Sequence, residues 1–168
     1  NPSLSFDIND LKSVSPSVVC EKCDLTSANL RGVNFTNGNF RGSNLSYSDF
    51  TGGFLSQIKL NNAIGEKTNF SGTDLQESDL SDSKFINAIF NNATLTNTSF
   101  VNSDMSGSII SKVKSVGTNY SGAILHEASM VRANFTNSNF TKSDLSFAIL
   151  NYSDFTSANF KESILNNI

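Results

Sequence analysis

The chain has 168 residues and a net charge of −3, with 38% hydrophobic and only 16% charged residues. That length suffices for one domain with its own core, the slight acidity argues against a phosphate-binding surface, and two cysteines are too few for a disulfide scaffold. No apolar run approaches the roughly 20 residues that span a bilayer, so no membrane insertion is expected.

Residues 1–19 read as an N-terminal cap. The chain opens on Asn1-Pro2 without Met, as a trimmed chain would. Leu4, Ile8 and Leu11 have helical spacing and Asp7 suits the first turn, which predicts a short helix over about residues 6–13, followed by a link through Pro16.

From Cys20 to Leu165 every fifth residue is a centre, and all the centres are apolar except Gly65 and Ser115. Eleven of the 14 phenylalanines sit at these centres. Two residues before each centre the side chain is small, Ile58 excepted, and one residue before it Asn and Asp dominate (Asp24, Asn29, Asn34, Asn39). A helix turns about 500° in five residues and would scatter the centres around its axis. In a strand, five is odd, and successive centres would point to opposite faces. What remains is a bend of constant hand in every unit, so that all centres meet in one interior. That is a solenoid whose units bury a continuous core by stacking.

The stretches "CDLTSANLRGVNF", "ANFTNSNFTKSDL" and "SDFTSANF" resemble the A(D/N)Lxx units of the pentapeptide repeat family, over Cys20 to Leu165. The resemblance implies an all-β, right-handed quadrilateral β-helix of about 20 residues per coil, here a single domain over 20–168 beneath the capping helix. Centres 20 apart should then stack, for example Phe100, Tyr120, Phe140 and Phe160, or Phe50, Phe70 and Phe90.

Cys20-x-x-Cys23 falls on two inward positions. Two core thiols, a disulfide and a metal half-site all fit, in that order, and the metal ranks last because a second ligand pair is missing and the one histidine, His126, lies far along the chain. "CDL" at the first coil resembles bacterial, notably cyanobacterial, members, which leans towards export to a periplasm or thylakoid lumen. Gly65 and Ser115 leave room in the core, to be filled by Ile64 or Val116 turning inward. Asn34-Phe-Thr36 and Asn134-Phe-Thr136 match a glycosylation sequon but follow from the repeat alphabet.

Outward apolar residues are more informative. Ile89, Ile109 and Ile149 each precede a centre on one face, with Val131 nearby and Phe147 and Tyr152 at neighbouring corners. Grouped, they form a candidate interaction surface; tolerance of Ile on a β-face is the competing explanation. At the C-terminal coil Phe155, Phe160 and Leu165 form a candidate homodimer end, since bare solenoid ends pair with other chains.

No acid, base or nucleophile cluster surrounds His126, and an unbroken solenoid offers no cleft, so neither catalysis nor a cofactor or metal is expected. The leading reading is a non-catalytic protein-binding or structural scaffold of the pentapeptide repeat family. The alternative, implied by family members that confer quinolone resistance, is a DNA-mimicking inhibitor or protector of a type II topoisomerase such as DNA gyrase. Against it, Asp49, Asp74, Asp79, Asp104 and Asp144 are interspersed with Lys59, Lys84 and Lys114. A third class, ice binding, would use the row Thr36, Ser56, Gln76, Thr96, Val116, Thr136 and Thr156, which is interrupted.

Overall fold

In the computed structural model, residues 16–168 are described. They form a four-sided solenoid without any helix; the helix expected over residues 6–13 lies outside the described residues. Every bridge is parallel and joins residues 20 apart, from Val19 with Asn39 to Asp144 with Ile164. Four five-residue units therefore close one coil. The bridges are isolated because each side is only three residues wide before the chain turns again.

The turn explains the period. In most units, those of Ser83, Val113, Thr118 and Ala133 excepted, the N–H two positions ahead of the next centre bonds back to the previous centre's carbonyl, as Gly53 does to Phe50 at 2.9 Å. The second residue after every centre from Lys22 to Asn167 has φ between 53° and 68°. A four-residue turn with positive φ at its third residue alone is type II. Gly and Asn, which tolerate that conformation best, fill half of these positions, and seven of the ten glycines are among them.

Backbone hydrogen bonding then takes four of the five N–H groups per unit. Around Phe50, the N–H of Phe50 donates to Asn69 O (2.8 Å) and that of Gly52 to Ser71 O (2.9 Å), both on the following coil. Asp49 N–H donates to Ala28 O on the preceding coil (2.9 Å). The N–H directly after the centre has no backbone acceptor. Here Asp49 Oδ1 accepts it from Thr51, at 2.9 Å. Every Asn or Asp in the position before a centre, from Asp24 to Asn159, makes this two-residue bond. The Asn/Asp preference is thus a backbone-satisfaction rule: the side chain supplies the acceptor that the ladder lacks.

Inside, the centres stack by side chain type. Phe100, Tyr120, Phe140 and Phe160 lie 4.8–5.3 Å apart with rings within 6° of parallel. Phe50, Phe70 and Phe90 repeat at 5.2 Å, and rings of different stacks meet edge-on, as Phe90 meets Phe100. Most of the small inward Ser and Thr are buried yet satisfied, Ser108 being an exception: Thr68 Oγ1 donates to Leu45 O (2.8 Å) and Thr98 Oγ1 to Leu75 O (2.7 Å). Each such carbonyl also accepts the turn N–H, so both its lone pairs are used.

The two gaps are filled differently from the sequence expectation. Ile64 remains 46% exposed and Val116 stays partly exposed, so neither turns inward. At Gly65 the Phe85 ring of the next coil fills the space; a Cβ there would run into it. At Ser115 the longer Tyr120 reaches across, its hydroxyl 2.9 Å from Ser115 Oγ, which donates to Thr118 Oγ1 (2.8 Å), which donates in turn to Leu95 O. A ring from a neighbouring centre is flat and large enough to occupy the room, whereas an Ile before a centre is held outward by its bridge.

Candidate functional site

Sides of the solenoid are polar where Asn or Asp precedes the centre. On one side the exposed Ile64, Ile124 and Ile164 are separated by Lys or Asp, whereas another departs from this in a cluster over its upper half. Its bridge column reads Asn29, Asp49, Asn69, Ile89, Ile109, Ser129, Ile149. The bridges Ile89–Ile109, Ile109–Ser129 and Ser129–Ile149 place all three isoleucines in one outward row. Ile149 is 51% exposed, Ile109 is exposed and Ile89 half-buried.

The substitution has a cost that is visible in the ladder. Asn69 Oδ1 accepts the N–H of Ser71 at 3.0 Å. One, two and four coils on, isoleucine supplies no acceptor, and the N–H groups of Asn91, Ser111 and Asn151 find none among the described residues. Each such bond contributes about 0.5–1.5 kcal/mol. Among the described residues, two of the three buried side-chain oxygens without a partner, Asn91 Oδ1 and Ser108 Oγ, adjoin the same face.

The corners on either side complete the surface. Before the face stand His126, Glu127 and Phe147; after it stand Val131, Arg132 and Tyr152. Phe147 (51% exposed) and Tyr152 (83% exposed) both occupy left-handed turn positions, φ 62° and 63°, where Asn or Gly would be less strained. The Phe147 ring lies edge-on to His126 at 5.4 Å, and Tyr152 lies under the Arg132 guanidinium at 5.7 Å. His126 Nε2 is 3.4 Å from Glu127 Oε1. The structure thus brings Ile89, Ile109, Ile149, Val131, Phe147 and Tyr152 onto one face and its edges. Sequence reasoning passed over Arg132 and Glu127, although their places 20 residues before Tyr152 and Phe147 put them on the same two corners.

Charge elsewhere is local. Asp49 is raised by partial burial, but the Thr51 hydroxyl and N–H and the Arg31 guanidinium at 2.9 Å outweigh this and hold its carboxyl below the usual range. The Ser146 hydroxyl and N–H, with a smaller contribution from His126, lower Asp144. The Thr26 and Thr156 hydroxyls do the same for Asp24 and Asp154. Burial pushes the Tyr120 phenol well up, only partly offset by Ser115.

Cys20 and Cys23 sit at the first and fourth residues of one turn, Cα atoms 5.4 Å apart, and their sulfurs are joined, with Cys20 buried. At the other end Phe155 and Phe160 are partly buried and Leu165 is 40% exposed. The Thr row of the third class is broken by Gln76 and by Val116. Among the described residues no group of three His, Cys, Asp or Glu could hold a metal ion, and no helix is long and apolar enough to cross a membrane.

The family model for pentapeptide repeats matches the chain in eight copies, over residues 23–62, 43–82, 74–111, 116–141 and 128–167. No curated protein matches. Among solved structures, the chain is similar to HetL, a pentapeptide repeat protein involved in heterocyst differentiation regulation from the cyanobacterium Nostoc sp. strain PCC 7120. That superposition has TM-score 0.69 and 18% identity, covering 94% of this chain and 91% of HetL. QnrB1, a plasmid-mediated fluoroquinolone resistance protein, aligns at TM-score 0.37 and 17% identity over 91% and 92% of the two chains. Rfr23 from the cyanobacterium Cyanothece 51142 aligns at TM-score 0.30 and 18% identity over 90% and 86%.

Proposed function

The chain belongs to the pentapeptide repeat family, and on that footing we propose that it is a non-catalytic scaffold that binds a protein partner through the side carrying Ile89, Ile109 and Ile149. One observation carries the reading. On this side three of four successive outward positions give up the side-chain acceptor for a turn N–H in favour of exposed isoleucine. Tolerance of Ile on a β-face accounts for one such residue; a clustered loss of hydrogen bonds, flanked by two exposed aromatics at strained corners, is better explained by a contact that uses the apolar surface. Unbroken five-residue units put no loop along the described rod, which favours docking over catalysis, since a substrate pocket needs walls.

The topoisomerase alternative draws less support. A DNA mimic needs carboxylates in continuous rows, but the columns alternate: Asp24, Asn44, Ile64, Lys84, Asp104 on one side and Asp74, Thr94, Lys114, Asn134 on another. The half-buried centres Phe155 and Phe160 and the exposed Leu165 are a second candidate contact, for another copy of the chain.

A photo-crosslinking residue placed at Ile109, compared in cells with the same residue at Asn119 on another side, tests the reading. Capture of a discrete protein from position 109 alone, lost in a folded Ile89→Asn/Ile149→Asn background, is the expected result. Equal capture from both positions, or capture that survives the double substitution, would overturn it.

A further inference from the structure

We infer that the partner which this face fits is a second copy of the same chain, docked side by side with the rods parallel; the inference rests on the binding role of the face proposed above. The geometry points to it through the two corners. The chain reaches the face from the corner of Glu127 and Phe147 and leaves it at the corner of Arg132 and Tyr152, and Glu127 and Arg132 lie on one coil, as do Phe147 and Tyr152.

A two-fold axis parallel to the rod sets each isoleucine against its own copy. It also turns the corner before one face onto the corner after the other. Arg132 then meets Glu127 across the contact, twice, and Tyr152 meets Phe147, twice. A two-fold axis perpendicular to the rod does the opposite: it sets the Lys112–Arg132 corner against itself, and like charges at that range oppose association. The face is therefore self-complementary in one orientation only, as an isologous interface requires.

The available area is adequate. One of four sides, over four of its coils, of a molecule exposing 7946 Å² comes to on the order of 900 Å², close to the about 800 Å² per partner of a standard interface. The rim aromatics are already held, Tyr152 by Arg132 and Phe147 by His126, so ordering them on contact costs little. Below Ile89 the column returns to Asn69 and Asp49, which marks where the contact ends.

Sedimentation velocity of the purified chain over a wide concentration range, at low and moderate salt, tests this. Wild type should show a reversible monomer–dimer equilibrium. Ile109→Asn, which restores the two-residue bond to Ser111 and keeps the fold, should weaken it about tenfold or more. Arg132→Glu and Glu127→Arg should each weaken it several-fold, because each homodimer then holds two like-charged pairs. Mixed in equal amounts, these two variants should dimerise with each other at least as well as wild type, since the mixed dimer has both pairs matched. A strict monomer overturns the inference while leaving the scaffold reading intact if position 109 still captures another protein. Dimerisation that ignores these variants, lacks the rescue on mixing, or is lost only with Phe160→Asp also overturns it.

Discussion

Gly65 gives the sharpest test of how the core is packed. Its φ is not in the left-handed region, so replacing it with alanine is a question of space alone. Alanine would place its Cβ inside the contact radius of the Phe85 ring, and 2.9 Å from Thr68 Oγ1. The ring has no easy retreat: Phe70 holds it edge-on at 5.6 Å and Phe90 at 6.1 Å. Overpacking of this kind costs about 1–3 kcal/mol, against about 0.4–1 kcal/mol gained by stiffening the unfolded chain. A net loss of about 1–2 kcal/mol is expected for Gly65→Ala, at about 2–4 °C in Tm per kcal/mol for a chain of this size. Phe85→Leu supplies the room, Leu being the residue at Leu45 and Leu125 in the same stack. The double variant Gly65→Ala/Phe85→Leu should therefore be more stable than the two single losses predict, by about 1 kcal/mol or more. Thermal and urea unfolding of the four proteins measures this coupling. Additive losses, or a Gly65→Ala variant as stable as wild type, would show that Phe85 does not fill the gap.

Further outcomes follow from the same contacts. Tyr120→Phe removes one buried bond and should cost about 1 kcal/mol, whereas Ser115→Ala strands the phenol in the core and should cost about 1–3 kcal/mol; the double variant should be milder than Ser115→Ala alone, and unfolding in urea distinguishes these. Asp24, Asp49, Asp144 and Asp154 all titrate below the ordinary 3.8. Because their folded values are depressed, their stabilisation is fully present above about pH 4–5 and is lost as pH falls through the folded values. The unfolding midpoint should be flat from neutral pH to that point and then drop, and Asp49→Asn/Asp154→Asn, which keeps the acceptor oxygens, should drop less. An unchanged acid limb would remove these carboxylates from the account.

The fold was legible because one feature of the sequence is nearly free of noise: the apolar side chain at every fifth position from Cys20 to Leu165, broken only at Gly65 and Ser115, excludes both helix and strand. The number of sides was not legible from the period itself and came from the family resemblance. The turn chemistry was written in the sequence but not read. Gly and Asn at Gly42, Gly52, Asn62 and Asn92 mark left-handed corners, and Asn or Asp, where it precedes a centre, marks the missing acceptor. Both signals were hidden because Lys, Glu, Phe and Tyr also occupy those corners, at Lys67, Glu77, Phe147 and Tyr152. The filling of the Gly65 gap could not be read, since it depends on how far the Phe85 ring tips towards the coil below. The apolar row was legible once residues 20 apart were known to stack, but its meaning was not. Only the ladder shows that Ile89, Ile109 and Ile149 each forgo a bond that Asn69 makes.

Residue-resolved amide hydrogen exchange reads that trade at individual N–H groups. Ser71, Asn91 and Ser111 occupy the same corner on successive coils. A protected N–H is expected at Ser71, bonded to Asn69 Oδ1, and markedly faster exchange at Asn91 and Ser111, with Ile109→Asn slowing Ser111 alone. Equal protection of all three in the wild-type protein would contradict it.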